Sequence, residues 1–130
     1  MNPLIARFVD NVKEDRAVLA VVLFGSQARG EETPRSDIDV CLVLPPGSDT
    51  KADQTAVRMR YLEGAAGRFR IHVFQQLPLY VRRRVLREGV VLFCKDWDVL
   101  YGIAHRTAQA FEDFKPIYQS YLDQVAHAGS

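Results

Sequence analysis

Two carboxylates one residue apart, Asp37 and Asp39, open an apolar run that continues to Leu44. In a strand alternate side chains share a face, so both acids point to the same side. Carboxylates held that close repel each other unless a cation sits between them. Hard oxygen ligands of this kind suit Mg²⁺, with Mn²⁺ as the alternative, and Mg²⁺ suits nucleotide phosphates. Upstream, an apolar run from Val18 to Phe24 is broken by Gly25-Ser26. Gly25 lets the backbone turn sharply and approach a ligand. Ser26 can cap a helix beginning at Gln27, Ala28 and Arg29 and can contact a phosphate oxygen. The unpaired N–H groups of such a helix start form an anion site. A phosphate cradle beside a metal-holding pair is what phosphoryl or nucleotidyl transfer requires.

These residues need a strand, a tight turn, a short helix, a loop and a second strand to position them. The loop Glu31-Glu32-Thr33-Pro34-Arg35 is polar, and Pro34 ends any helix. Glu31 and Glu32 read as solvated loop charges rather than further ligands. Arg29 either reaches a phosphate or braces the loop. Before the first strand, Asn2 to Glu14 predicts a helix. Asn2 is its cap, Pro3 stands at its first position, and Leu4, Ile5, Phe8, Val9 and Val12 form an apolar stripe. After Leu44 the pattern predicts a helix from Asp49 to Ala66, with Val57, Tyr61 and Leu62 apolar. A strand follows over Arg68 to Phe74, with Phe69, Ile71 and Val73 on one face and Arg68, Arg70 and His72 on the other. Next come a helix from Leu79 to Glu88, with Arg82, Arg83, Arg84 and Arg87 making one side basic, either a solvated surface or a contact for phosphates or an acidic partner, and a strand over Val90 to Cys94.

The joint pattern Gly25-Ser26-x-Ala28-Arg29-Gly30 and Ser36-Asp37-x-Asp39 resembles the signature of the polymerase-beta-like nucleotidyltransferase superfamily. The chain is similar to its minimal nucleotidyltransferase (MNT) branch, which includes the antitoxins of HEPN/MNT toxin–antitoxin pairs. The segment Val85 to Phe93 resembles the closing segment of that branch. The resemblance implies an α/β (α+β) fold, a small mixed sheet flanked by helices. It implies Asp37 and Asp39 as catalytic metal ligands, Gly25, Ser26 and Arg29 at the nucleotide, and ATP or another NTP as donor. The implied acceptor is a hydroxyl, on a partner protein such as a HEPN-type toxin. In the family the strand corresponding to Arg68–Phe74 usually supplies a third carboxylate, and here His72 occupies that position. A neutral imidazole removes charge from the metal site and offers nitrogen where Mg²⁺ prefers oxygen. Three readings stay open: His72 is itself the catalytic base, the site binds nucleotide with little turnover, or another carboxylate completes it. The alternative to an enzyme is an antitoxin that acts by docking and keeps a remnant nucleotide site. An antibiotic-modifying enzyme fits less well, because little chain is left to build a drug-binding domain.

The 130 residues suit one domain, 1–130, with 95–130 as a C-terminal helical tail. Seventeen basic against sixteen acidic residues give a net charge of +1, which argues against a dedicated nucleic-acid surface. No apolar run approaches the roughly 20 residues of a membrane span, and no signal-peptide hydrophobic region opens the chain. Cys41 and Cys94 lie in apolar runs and read as buried free thiols, consistent with a reducing cytoplasm. In the tail, capped by Asp96, the side chains Leu100, Ala104, Thr107, Phe111, Phe114, Tyr118, Tyr121 and Val125 fall at alternating steps of four and three. That heptad seam serves either the chain's own core or association, as a homodimer or with a partner. Pro116 is expected to kink this helix or start another.

Overall fold

The computed structural model describes residues 2–25, 28–30, 37–64 and 67–128, apart from the side chains of Phe114 and Ala128. Its element order is α1 (Pro3–Lys13), β1 (Ala20–Phe24), β2 (Ile38–Val43), α2 (Lys51–Gly64), β3 (Phe69–Val73), a 3₁₀ turn (Phe74–Gln76), α3 (Leu79–Glu88), β4 (Val90–Cys94) and α4 (Trp97–Ala128). The strands form one mixed sheet in the order β3-β2-β1-β4. β1 pairs antiparallel with β2 and β4, and β2 pairs parallel with β3 through the α2 crossover.

Local chemistry accounts for most of these boundaries. The Leu4 amide donates to Asn2 Oδ1 at 2.8 Å, so Asn2 caps α1. Thr50 accepts from the Asp53 amide at the start of α2, and Asp96 Oδ1 accepts from Asp98 and Val99 at the start of α4. Two apolar clusters cover the two sheet faces. On one, Ile5, Phe8, Val9 and Val12 of α1 and Val57 of α2 pack against Val21, Ile38, Val40, Leu42 and Ile71. On the other, Val85 of α3 and Leu100 and Ile103 of α4 pack against Ala20, Val22, Cys41 and Val43, with Phe74 beneath.

The elements depart from the sequence expectation in four places. The helix expected to follow Gly25 is a turn over residues 28–30, closed by the Arg29 amide donating to the Gly25 carbonyl at 3.2 Å; Ser26 and Gln27 lie outside the described residues. Asp37 precedes β2 rather than lying within it. The α3 arginines do not share one solvated side. Arg83 lies over the Phe111 ring of α4 at 4.5 Å, and the half-buried Arg82 faces a cleft beside α4, while Arg84 and Arg87 are exposed. Pro116 does not divide the tail: α4 runs through it as one helix. The proline frees the Glu112 carbonyl, and both residues are exposed there, so water can satisfy that carbonyl.

A hub not anticipated from sequence ties the first helical layer together. Asp15, in the turn between α1 and β1, accepts from the Ala17 amide at 2.8 Å and from the Tyr61 hydroxyl at 2.5 Å. Arg60 approaches the same carboxylate at 3.2 Å, and Lys95 donates to the Asp15 backbone carbonyl. Burial works to raise the Asp15 pKa, but these donors and cations prevail and hold it below the usual carboxylate value.

Candidate active site

The site forms where β1 ends and β2 begins. Antiparallel register sets Phe24 opposite Asp39, so the turn after β1 lies against the Asp39 side chain. Gly25 has φ +73°, and a Cβ there would stand 2.6 Å from Asp39 Oδ2. Only glycine combines that left-handed backbone with so close an approach. The parallel β2–β3 register then sets Asp39 opposite Arg70 and Cys41 opposite His72. Arg70 and His72 alternate along β3 and face the acids. The Arg70 guanidinium meets Asp37 Oδ2 at 2.7 Å, and His72 Nε2 lies 3.7 Å from Asp39 Oδ1. The second distance exceeds a hydrogen bond. Phe24 packs edge-on against the imidazole, with the two ring centroids 5.5 Å apart.

Burial lowers the His72 pKa and the Asp39 carboxylate works against that; Arg58 and Arg70 add to the lowering, and the net shift is downward. The imidazole is therefore neutral at pH 7 and adds no charge that would compete with a metal ion. Asp39 is the more enclosed acid, its side chain 19% exposed against 41% for Asp37. The Asp37–Arg70 pair, with both members well exposed, adds at most about 1 kcal/mol to stability. Its consequence for the site is that a cation already occupies one side of Asp37.

The residues expected from sequence thus divide clearly. Gly25, Asp39 and His72 are brought into contact, and Asp37 joins them through Arg70. The Arg29 side chain is exposed beyond the turn that its amide closes. Ser26, Glu31 and Glu32 lie outside the described residues. Arg70 was not anticipated as a partner of Asp37. Its place on the His72 face was legible, but the pairing follows from a strand register that no local pattern specifies. Among the described residues no group of three or more His, Cys, Asp and Glu side chains is placed to hold a metal. The donor set that remains, two carboxylates near one strand start, still fits Mg²⁺. That ion is usually held by one or two carboxylates, with substrate phosphates and water completing its shell.

Comparisons with known proteins give the family and the fold. The family model described as "Polymerase beta, Nucleotidyltransferase" matches residues 8–98, well over half of the chain. A candidate protein adenylyltransferase of Methanocaldococcus jannaschii is 39% identical over 79 residues, which span 58% of this chain and 56% of that protein. The chain therefore matches little more than half the length of that relative. Among solved structures, a toxin–antitoxin with AMP-PNP superposes with a TM-score of 0.72 at 16% identity, covering 97% of this chain and 99% of the other. A chain of the tri-AMPylated Shewanella oneidensis HEPN toxin in complex with MNT antitoxin gives 0.65 at 14% identity, with 95% and 98% covered. At these identities the structural likeness is one of fold. With the family model spanning the sheet, the glycine turn and both aspartates, the chain belongs to the polymerase beta nucleotidyltransferase family.

Proposed function

We propose that this protein transfers a nucleoside monophosphate from ATP, or another nucleoside triphosphate, to a hydroxyl of a partner protein, in the manner of a HEPN-toxin antitoxin. The observation that carries this reading is the contact between the Gly25 turn and the Asp39 carboxylate. It sets backbone that can approach a phosphate directly beside an acid that can hold a metal. Asp37 and Asp39 would hold Mg²⁺, or Mn²⁺, which when bound offsets the charge of the triphosphate. Gly25 leaves room for the phosphates, and Ser26 and Arg29 are the further candidates for holding them. The acceptor hydroxyl attacks the α-phosphorus, a new O–P bond forms, the bond to the β-phosphate oxygen breaks, and pyrophosphate leaves. Neutral His72, beside Asp39, is placed to take the hydroxyl proton. The names of the relatives support the acceptor class: one is a candidate protein adenylyltransferase, and another complex contains an AMPylated HEPN toxin. Two free cysteines and the lack, among the described residues, of any helix long and apolar enough to cross a membrane accord with action in the cytoplasm.

One observation favours a second reading. Arg70 sits 2.7 Å from Asp37, where it competes with a metal ion for that carboxylate. A protein that binds nucleotide weakly and neutralises its partner by docking would tolerate this arrangement.

The test uses ATP labelled at the α-phosphate, Mg²⁺ or Mn²⁺, and the product of the neighbouring reading frame as acceptor. Wild type should label the acceptor. Asp37→Asn with Asp39→Asn should abolish labelling and metal-dependent ATP binding while the circular dichroism spectrum stays unchanged. Gly25→Ala should weaken ATP binding, because its Cβ meets Asp39 and its backbone is strained by about 1–3 kcal/mol. Unaltered ATP affinity in the double asparagine variant would overturn the assignment, and partner binding without any labelling would favour the docking reading.

A further inference from the structure

At the end of the sheet away from the acidic pair, a cleft of about 570 Å³ opens between the β2–α2 loop, the 3₁₀ turn, α3 and α4. Asp37 precedes β2 and the cleft-lining Pro45 follows it, so an extended strand of roughly 20 Å lies between the two places. Phe74, Leu79 and Ile103 give the cleft an apolar wall. Two of its polar side chains are already committed. Gln75 exchanges hydrogen bonds with both the amide and the carbonyl of Leu44, and the Thr107 hydroxyl donates to the Ile103 carbonyl.

Two guanidinium groups remain, Arg82 from α3 and Arg106 from α4. Neither belongs to an ion pair among the described residues. Arg82 Nε is buried with no hydrogen-bond partner, which is true of no other side-chain nitrogen or oxygen among the described residues. Asp49 lines the same cleft without coming within ion-pair distance of either arginine. A buried guanidinium N–H without an acceptor is costly unless something else supplies one. The unpaired charges of the cleft are two guanidinium groups against the single Asp49 carboxylate, a net positive charge whose complement is an anion. The apolar wall asks that this anion carry a hydrophobic body, and the volume suits a small molecule. We propose that this cleft binds a small organic anion, a carboxylate or phosphate monoester with a short apolar body, separately from the nucleotide site.

Phenyl phosphate is a suitable probe, with inorganic phosphate and benzyl alcohol as the charge-only and body-only comparisons. All are titrated by calorimetry in EDTA, so that metal-dependent binding at the acidic pair is silent. Phenyl phosphate should bind wild type and Asp39→Asn equally, and more tightly than either comparison compound. Arg106→Gln, an exposed change that leaves the core intact, and Arg82→Lys, which keeps the charge but not the fork, should each weaken binding by about tenfold or more. Any of four results would overturn the proposal: no binding of phenyl phosphate in the millimolar range, equal binding of benzyl alcohol, unchanged affinity in both arginine variants, or loss of binding in Asp39→Asn.

Discussion

On the proposed function, His72 is the candidate proton acceptor of this chain. It stands on the β3 face that Asp39 faces, within 3.7 Å of that carboxylate, and is neutral at pH 7 because burial outweighs the pull of the acid. A neutral imidazole there can accept a proton from an attacking hydroxyl, a contribution of typically 10²–10⁴-fold. We expect His72→Ala to lower the transfer rate by about 10²-fold at pH 8, where the imidazole of the wild type is neutral. His72→Gln, which keeps the size but not the basicity, should be equally slow. The measurement is single-turnover labelling of the acceptor. A His72→Asp enzyme faster than wild type would instead mark the histidine as a weakness of the site and a carboxylate as the better occupant.

At the scale of elements, α4 changes character along its length. Leu100, Ile103 and Thr107 are buried against the sheet and α3, Phe111 lies under Arg83, and Tyr118 stacks on Tyr80 at 5.4 Å. The heptad seam therefore begins as core packing. Beyond it, Ile117 at 68% and Tyr121 at 62% exposure, with Leu122 and Val125, leave an apolar strip in water. Strips of this kind usually mark interfaces, with aromatic residues carrying much of the energy. We expect Ile117→Glu combined with Tyr121→Glu to abolish capture of the cognate partner, or to turn a dimer into a monomer, with the melting temperature unchanged. If pull-down and light scattering both match wild type, the strip is not an association surface. The junction of α3 and β4 shows a different constraint. A Cβ on Gly89 would lie 2.5 Å from Val22 Cγ1, so this helix closes onto β1 only through a glycine.

For the whole molecule, the Asp15 hub links the α1–β1 turn to α2 through its carboxylate and to Lys95, just before α4, through its backbone carbonyl. Its pKa is lowered in the folded state, so its contribution to stability is present above the unfolded value of 3.8 and is lost as pH falls through the folded one. Tyr61→Phe removes the hydroxyl that donates to Asp15 and should cost about 1–3 kcal/mol at pH 7. That cost should shrink as pH falls from 3.8 through the lower folded value, below which the carboxyl is protonated in both states. Urea unfolding of wild type and variant at pH 7 and at a pH below the folded value measures the difference. An equal cost at both values would mean that the tyrosine acts through packing on Phe8 rather than through the acid.

Local signals in the sequence determined where most elements lie and which residues begin the site. Strand alternation set Phe69, Ile71 and Val73 against Arg70 and His72; caps at Asn2 and Asp96 started their helices; Gly25 and the Asp37–Asp39 pair marked where the candidate site lies. All of these depend on residues within a few positions of each other. Tertiary structure alone decided what depends on register and helix packing between distant segments. The parallel β2–β3 pairing brought Arg70 to Asp37. The crossing of α3 and α4 turned Arg82 and Arg83 inward from a helix side that looked solvated. Solvent around Glu112 let α4 pass through Pro116 unbroken. Asp15 read as a turn residue and became a hub only once Tyr61, Arg60 and Lys95 converged on it, because no local rule says which side chains from other elements will meet a given carboxylate.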